Sequence, residues 1–121
     1  MLNRKIKILI VDDEESIRTL LQNVLGGQER TILMAGDGMK AIGVFRRERP
    51  DITILDLRMP DVSGLDVLKE IRAMDPSATV IVYSGTVGGM LEQQARALGV
   101  NEFIAKGGTL RPLGAVLNSM T

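Results

Sequence analysis

The chain contains no cysteine and no histidine. That excludes disulfides, thiol nucleophiles, Cys/His zinc sites and histidine acid–base catalysis. It also means that the chain cannot itself carry a phosphohistidine. The absence of disulfides suits a cytoplasmic protein. Aromatics are scarce: Phe45, Tyr83 and Phe103 are the full set, too few for a base-stacking platform or an aromatic cage. Neither sign of charge dominates, with 15 Lys+Arg against 15 Asp+Glu. A direct nucleic-acid binder normally shows a basic excess, and a lipid-docking segment a polybasic run; this chain has neither. The strongest apolar runs, residues 8–11 and 80–83, are far too short to span a membrane. The first five residues lead into a strand-like run followed by acids, unlike a signal peptide.

What is present fits one domain, spanning 1–121. Two hydrophobic periods alternate along it. Short β-branched runs at residues 6–11, 30–35, 52–55, 79–83 and 103–105 predict buried strands. Between them lie stripes of helical spacing. The first uses Ile17, Leu20, Leu21, Val24 and Leu25, and Gly26-Gly27 stops it. The second, residues 39–49, turns Ala41, Ile42 and Phe45 inward and is closed by Pro50. The third, residues 64–74, uses Leu65, Leu68 and Ile71. The fourth, residues 90–98, uses Leu91, Ala95 and Leu98, and the fifth, residues 110–120, uses Leu110, Leu113, Leu117 and Met120. Regular β–α alternation predicts an α/β, doubly wound (βα)5 fold. Its parallel sheet carries helices on both faces, in the flavodoxin-like order 2-1-3-4-5.

In such a sheet the site lies beyond the carboxyl ends of the strands. Asp12, Asp13 and Glu14 follow the first strand, Asp56 the third, Ser84 the fourth and Lys106 the fifth. Any one of these alone reads as an ordinary solvated loop residue, and Asp12 and Asp13 could serve only to cap the first helix. The set says more, because strands one and three are neighbours in this order. Two carboxylates about 4 Å apart repel by roughly 4 kcal/mol at an effective dielectric near 20. Three need a proton or a cation. Oxygen-only ligands favour a hard ion, Mg²⁺ ahead of Mn²⁺ or Ca²⁺. An acidic metal cluster flanked by a lysine and a hydroxyl suits phosphoryl transfer, with a carboxylate as nucleophile.

Val11-Asp12-Asp13-Glu14, the stretch Asp56-Leu57-Arg58-Met59-Pro60-Asp61-Val62-Ser63-Gly64, Ser84-Gly85 and Phe103-Ile104-Ala105-Lys106 together resemble the receiver domain of bacterial two-component response regulators, of the chemotaxis-regulator type. The resemblance covers the whole chain, and Ala35-Gly36-Asp37-Gly38 fits it too. It implies that Asp56 is the phosphoacceptor, taking a phosphoryl group from the phosphohistidine of a sensor kinase or histidine phosphotransfer protein. Asp13 and Asp56 would bind Mg²⁺ directly, Asp12 through water, and the backbone carbonyl of Arg58 would complete the protein ligands. Lys106 would pair with the phosphoryl oxygens. Ser84 would move to hydrogen-bond them, and Phe103 would turn into the vacated space. The face made by the fourth helix, fifth strand and fifth helix would then switch toward effectors, an output domain or a phosphorylation-dependent homodimer. The domain would be no enzyme in its own right beyond self-phosphorylation from small phosphodonors and slow self-dephosphorylation. Arg58 and Thr86 would flank the path of hydrolytic water.

A phosphoryl group adds charge and acceptor oxygens that can bind Ser84 and Lys106, which the bare carboxylate is expected to reach poorly. One departure stands out. The family usually has proline after the lysine, often in a cis peptide; here Gly107-Gly108 follows, so a trans bond is expected. Gly88-Gly89 predicts a mobile segment over residues 86–90. Two other readings compete. One is a receiver-like interaction module without phosphorylation. The other is a Mg²⁺-dependent aspartate-nucleophile phosphatase, which usually carries a second Asp where this chain has Arg58.

Overall fold

A computed structural model describes residues 5–27, 29–85 and 88–120, the last without its side chain. The expectations for Thr86, for the mobility of residues 86–90 as a segment and for the Met120 side chain therefore lie outside the described residues. The order of elements is β1 (Ile6–Val11), α1 (Glu15–Leu25), β2 (Arg30–Ala35), α2 (Gly38–Glu48), β3 (Ile52–Leu55), α3 (Gly64–Met74), β4 (Thr79–Ser84), α4 (Gly89–Ala97), β5 (Glu102–Ala105) and α5 (Arg111–Met120). All strand pairs are parallel and the sheet runs β2-β1-β3-β4-β5, the order expected.

The sheet separates two apolar cores. Leu9, Val11, Leu55, Val80 and Val82 meet Ala41 and Phe45 of α2, Leu68 and Ile71 of α3 and Ala95 of α4 on one face. Ile8, Ile10, Ile54, Ile81 and Ile104 meet Leu21 and Leu25 of α1 and Leu113 and Leu117 of α5 on the other. This is the period-2 alternation of a strand covered on both sides. Each such side chain withdrawn from water contributes about 1.5–3 kcal/mol before chain entropy is counted. Thr53 alone interrupts the run on β3. It is fully buried and its hydroxyl finds no hydrogen-bond partner.

Local chemistry sets the helix ends. Asp37 caps α2 by accepting from the Lys40 amide at 2.8 Å. Ser63 caps α3 by accepting from the Asp66 amide at 3.2 Å. Helix α2 stops at Arg49, which adopts a left-handed φ of 46° ahead of Pro50. At the far end of α4, Arg72 of α3 donates to the carbonyls of Leu98 (2.6 Å), Gly99 (2.8 Å) and Ala78 (2.7 Å). One guanidinium thus satisfies acceptors that a helix terminus leaves open.

The stripe expected on α1 is too wide. Leu21 and Leu25 are buried, but Leu20 and Val24 are 43% and 47% exposed. Val24 sits beside the seam between α1 and α5, where the small residues Gly114 and Ala115 line a shallow groove with it.

Candidate functional site

Register places the acidic residues. Val11 of β1 pairs with Leu55 of β3, so Asp12 and Asp56 leave the sheet side by side. The Asp56 amide still donates to the Val11 carbonyl at 3.0 Å. Ser84 pairs with Ala105, which delivers Lys106 one strand further along, and the Lys106 amide donates to the Ser84 carbonyl at 2.8 Å. Asp12, Asp56 and Lys106 continue the parity of Ile10, Ile54 and Ile104, all in the α1/α5 core. Alternation therefore carries these three side chains off the same side of the sheet.

The result is one compact cluster. Asp12, Asp13 and Asp56 each offer a carboxylate oxygen within 4.8 Å of the others. Asp12 and Asp56 are buried and Asp13 is exposed. The Lys106 ammonium lies 2.6 Å from Asp12 Oδ2 and 3.2 Å from Asp56 Oδ2. Ser84 Oγ donates to Asp56 Oδ1 at 3.1 Å, and the Arg58 amide to the same oxygen at 3.3 Å. Asp12 Oδ1 accepts from the Glu14 amide at 3.0 Å, just before α1 begins. Asp12 therefore braces the loop ahead of α1 rather than capping the helix, since Glu14 holds the cap position without a side-chain cap bond, and the other Asp12 oxygen faces Lys106. Three carboxylates in reach of one another form a hard-oxygen donor set of the kind that holds a divalent cation.

Burial pushes the Asp12 carboxyl above its ordinary 3.8, and the hydrogen bond from Lys106 offsets only part of that. Burial alone would lower the Lys106 ammonium, but its bond to Asp12 and the charge of Asp56 outweigh it and hold the group above 10.5. Lys106 therefore stays protonated.

Contrary to expectation, the bare carboxylate does not reach Ser84 and Lys106 poorly. Both contact Asp56 without any phosphoryl group. The reason is that a buried carboxylate needs donors, and these are the donors at hand. The loop after Lys106 has a φ of +94° at Gly107, a backbone region closed to proline, and no cis peptide occurs among the described residues.

Phe103 lies half-buried on β5, packed against the α2/α3/α4 core, with the Arg96 guanidinium over its ring at 5.4 Å. Among the described residues, its contacts are with that core and with Arg96 rather than with the acidic cluster. Three residues around the site carried no sequence signal. Arg18 of α1 donates to the Asp12 carbonyl at 2.7 Å, Tyr83 lies under the Lys106 ammonium at 5.9 Å, and Arg96 covers Phe103. Each is a long or aromatic side chain placed by space rather than by spacing. Beside the cluster, the β3–α3 loop and the start of α4 enclose a groove lined by Leu57, Met59, Met90 and Leu91. None of the described helices is long and apolar enough to cross a membrane.

The chain is similar to the sporulation initiation phosphotransferase F of Bacillus subtilis, 35% identical over 102 residues that cover 83% of this chain and 81% of the relative. It is equally similar to the chemotaxis protein CheY of Listeria monocytogenes, 35% identical over 84% of this chain and 86% of that protein. Among solved structures, a CheX–CheY complex with BeF3 and Mg²⁺ from Borrelia burgdorferi matches with a TM-score of 0.87 and 26% identity, covering 98% of this chain and 91% of that one. The family model for the response regulator receiver domain matches residues 8–118. With the 2-1-3-4-5 sheet and an acidic pocket at its carboxyl edge, the chain belongs to the receiver domain family of two-component response regulators.

Proposed function

We propose that Asp56 is the residue that receives the phosphoryl group. The observation that carries this is the convergence on Asp56 of two further carboxylates, an ammonium and a hydroxyl. An Asp56 carboxylate oxygen attacks the phosphorus of a partner phosphohistidine. The P–N bond breaks, its electron pair leaves with the imidazole, and an aspartyl phosphate remains. Lys106, already protonated and adjacent, is placed to pair with the transferred oxygens, and Ser84 to donate to one of them. Asp13 and Asp56, with Asp12 through water and the Arg58 carbonyl, would hold Mg²⁺. The three carboxylate oxygens, all within 4.8 Å of one another, fit such an ion. When bound, it would neutralise charge on the transferring group. The chain's own residues position the acceptor and supply the fixed donors around it.

The partner on this reading is a sensor histidine kinase or a histidine phosphotransfer protein. The fitting place is the cytoplasm, where such a donor and Mg²⁺ occur together. Phosphorylation shifts the α4–β5–α5 face through Ser84 and Phe103, presenting it to an effector, an output domain or a second receiver. The domain performs no chemistry on other substrates; it accepts and slowly loses its own phosphoryl group.

The test is incubation with acetyl phosphate and Mg²⁺ followed by intact mass. One added phosphoryl in the wild type, absent in Asp56→Asn, supports the assignment. Equal masses in both proteins, with Mg²⁺ binding verified calorimetrically, reject it.

A further inference from the structure

Phe103 is joined to the start of α4 by a line of contacts. The Arg96 guanidinium covers the Phe103 ring at 5.4 Å. Arg96 Nε donates to Glu92 Oε2 at 2.7 Å, one helical turn back. The other oxygen, Glu92 Oε1, accepts from the Gly88 amide at 2.6 Å. Gly88 is the cap residue immediately before α4, and both it and Gly89 have positive φ, 81° and 72°. No side-chain oxygen at position 88 can cap this helix, because the residue is glycine. The fourth residue of the helix reaches back and does so instead.

Each link restrains the next. A guanidinium shared between a ring and a carboxylate loses orientation when the ring leaves, because a long arginine side chain has many other rotamers open to it. An i,i+4 pair without that anchor is weak at an exposed site. Glu92 is 18% exposed and Arg96 56%, so the guanidinium is the link most free to leave once the ring moves, and Glu92 then loses its cation. We infer that Arg96 and Glu92 are positioning residues that couple the ring of Phe103 to the first turn of α4. Movement of the ring away from Arg96 loosens the cap on Gly88. The inference rests on the reading of Phe103 as the switch residue for its signalling consequence, but the coupling itself exists in the unphosphorylated protein and can be measured there.

The experiment is amide hydrogen exchange at Gly88 by NMR, in the full chain, with the ring signals of Phe103 followed in parallel. In the unphosphorylated protein, Arg96→Leu and Phe103→Leu are each expected to speed Gly88 exchange about threefold, and the double variant no more than either single one. Exchange elsewhere in the core should not change, which separates a lost cap from general loosening. Additive effects, or Gly88 exchange equal to wild type in Arg96→Leu, overturn the coupling. With beryllium fluoride and Mg²⁺ as the phosphoryl mimic, Gly88 exchange in the wild type should rise as the ring signals shift. In Arg96→Leu the ring should shift with little further change at Gly88. A ring that shifts while wild-type Gly88 stays unchanged overturns the inference and leaves the switch reading standing. A ring that never moves overturns the switch reading and the signalling role proposed here with it.

Discussion

Lys106 and Asp12 form the shortest ion pair of the site, 2.6 Å, closer than the 3.2 Å between Lys106 and Asp56. The lysine therefore serves two carboxylates at once, and its nearer partner is not the one proposed to receive the phosphoryl group. Before any metal arrives, the ammonium supplies the positive charge that the cluster requires.

Asp12 nevertheless costs stability at neutral pH. A carboxyl whose folded pKa is raised contributes stability below its ordinary value, 3.8, and loses it as pH rises through the folded value. Asp12→Asn is neutral at every pH and leaves Lys106 its second partner. With a chelator present, it is expected to melt higher than the wild type at pH 7. The gain should shrink as pH falls toward 3.8. Thermal melts across pH 3–8 measure this. A lower melting temperature at pH 7 would mean that the Lys106 contact outweighs burial.

Removing the lysine should do the opposite. Lys106→Met leaves two buried carboxylates facing each other with no cation between them. Breaking a largely buried pair in this way costs about 3 kcal/mol. Urea unfolding in a chelator should show that loss. Added Mg²⁺ should stabilise the variant more than the wild type, because the ion then supplies the missing charge. Equal Mg²⁺ stabilisation of both proteins would contradict the account.

Gly64 is required by closeness rather than by its dihedral angles. A Cβ there would lie 1.9 Å from the Asp56 carbonyl oxygen and 2.6 Å from Leu57 Cα. The Gly64 amide also donates to the Leu57 carbonyl at 2.9 Å, so the first turn of α3 rests on the backbone of Asp56 and Leu57. Gly64→Ala must displace backbone and is expected to cost about 3 kcal/mol. Its phosphorylation by acetyl phosphate should also be slower than that of a variant destabilised equally at a distance. Wild-type stability in denaturant would rule out this contact.

Thr53 offers a gain. Its hydroxyl is buried on the central strand without a partner, and valine has the same shape without the polar atom. Thr53→Val is expected to add about 1 kcal/mol, read from the urea midpoint at unchanged slope. An unchanged or lower midpoint would show that the hydroxyl is satisfied in solution.

Most of the fold is legible because its elements differ in period. Runs such as Ile8-Leu9-Ile10-Val11 can be little else than a strand covered on both faces, and Leu65, Leu68 and Ile71 mark a helix with one buried side. The error on α1 has a plain cause. Leu20 and Val24 satisfy the helical spacing, but the groove between α1 and its neighbours admits only the narrower stripe of Leu21 and Leu25. The cluster was legible too, because strand ends fix where Asp12, Asp56, Ser84 and Lys106 emerge. Contacts made by long side chains were not. Arg18 reaches the Asp12 carbonyl and Arg72 reaches α4 through many rotatable bonds, and spacing along the chain says nothing about where such a chain ends.

The three carbonyls held by Arg72 also constrain how α4 can move. With Leu98, Gly99 and Ala78 fastened to one guanidinium, α4 has a fulcrum at its C-terminal end. Any rearrangement that keeps those bonds swings the helix instead of sliding it. The largest excursion then falls on its first turn, beside Met90, and dwindles to nothing at Leu98. A docked protein that senses the phosphorylated state would gain most from gripping that free end.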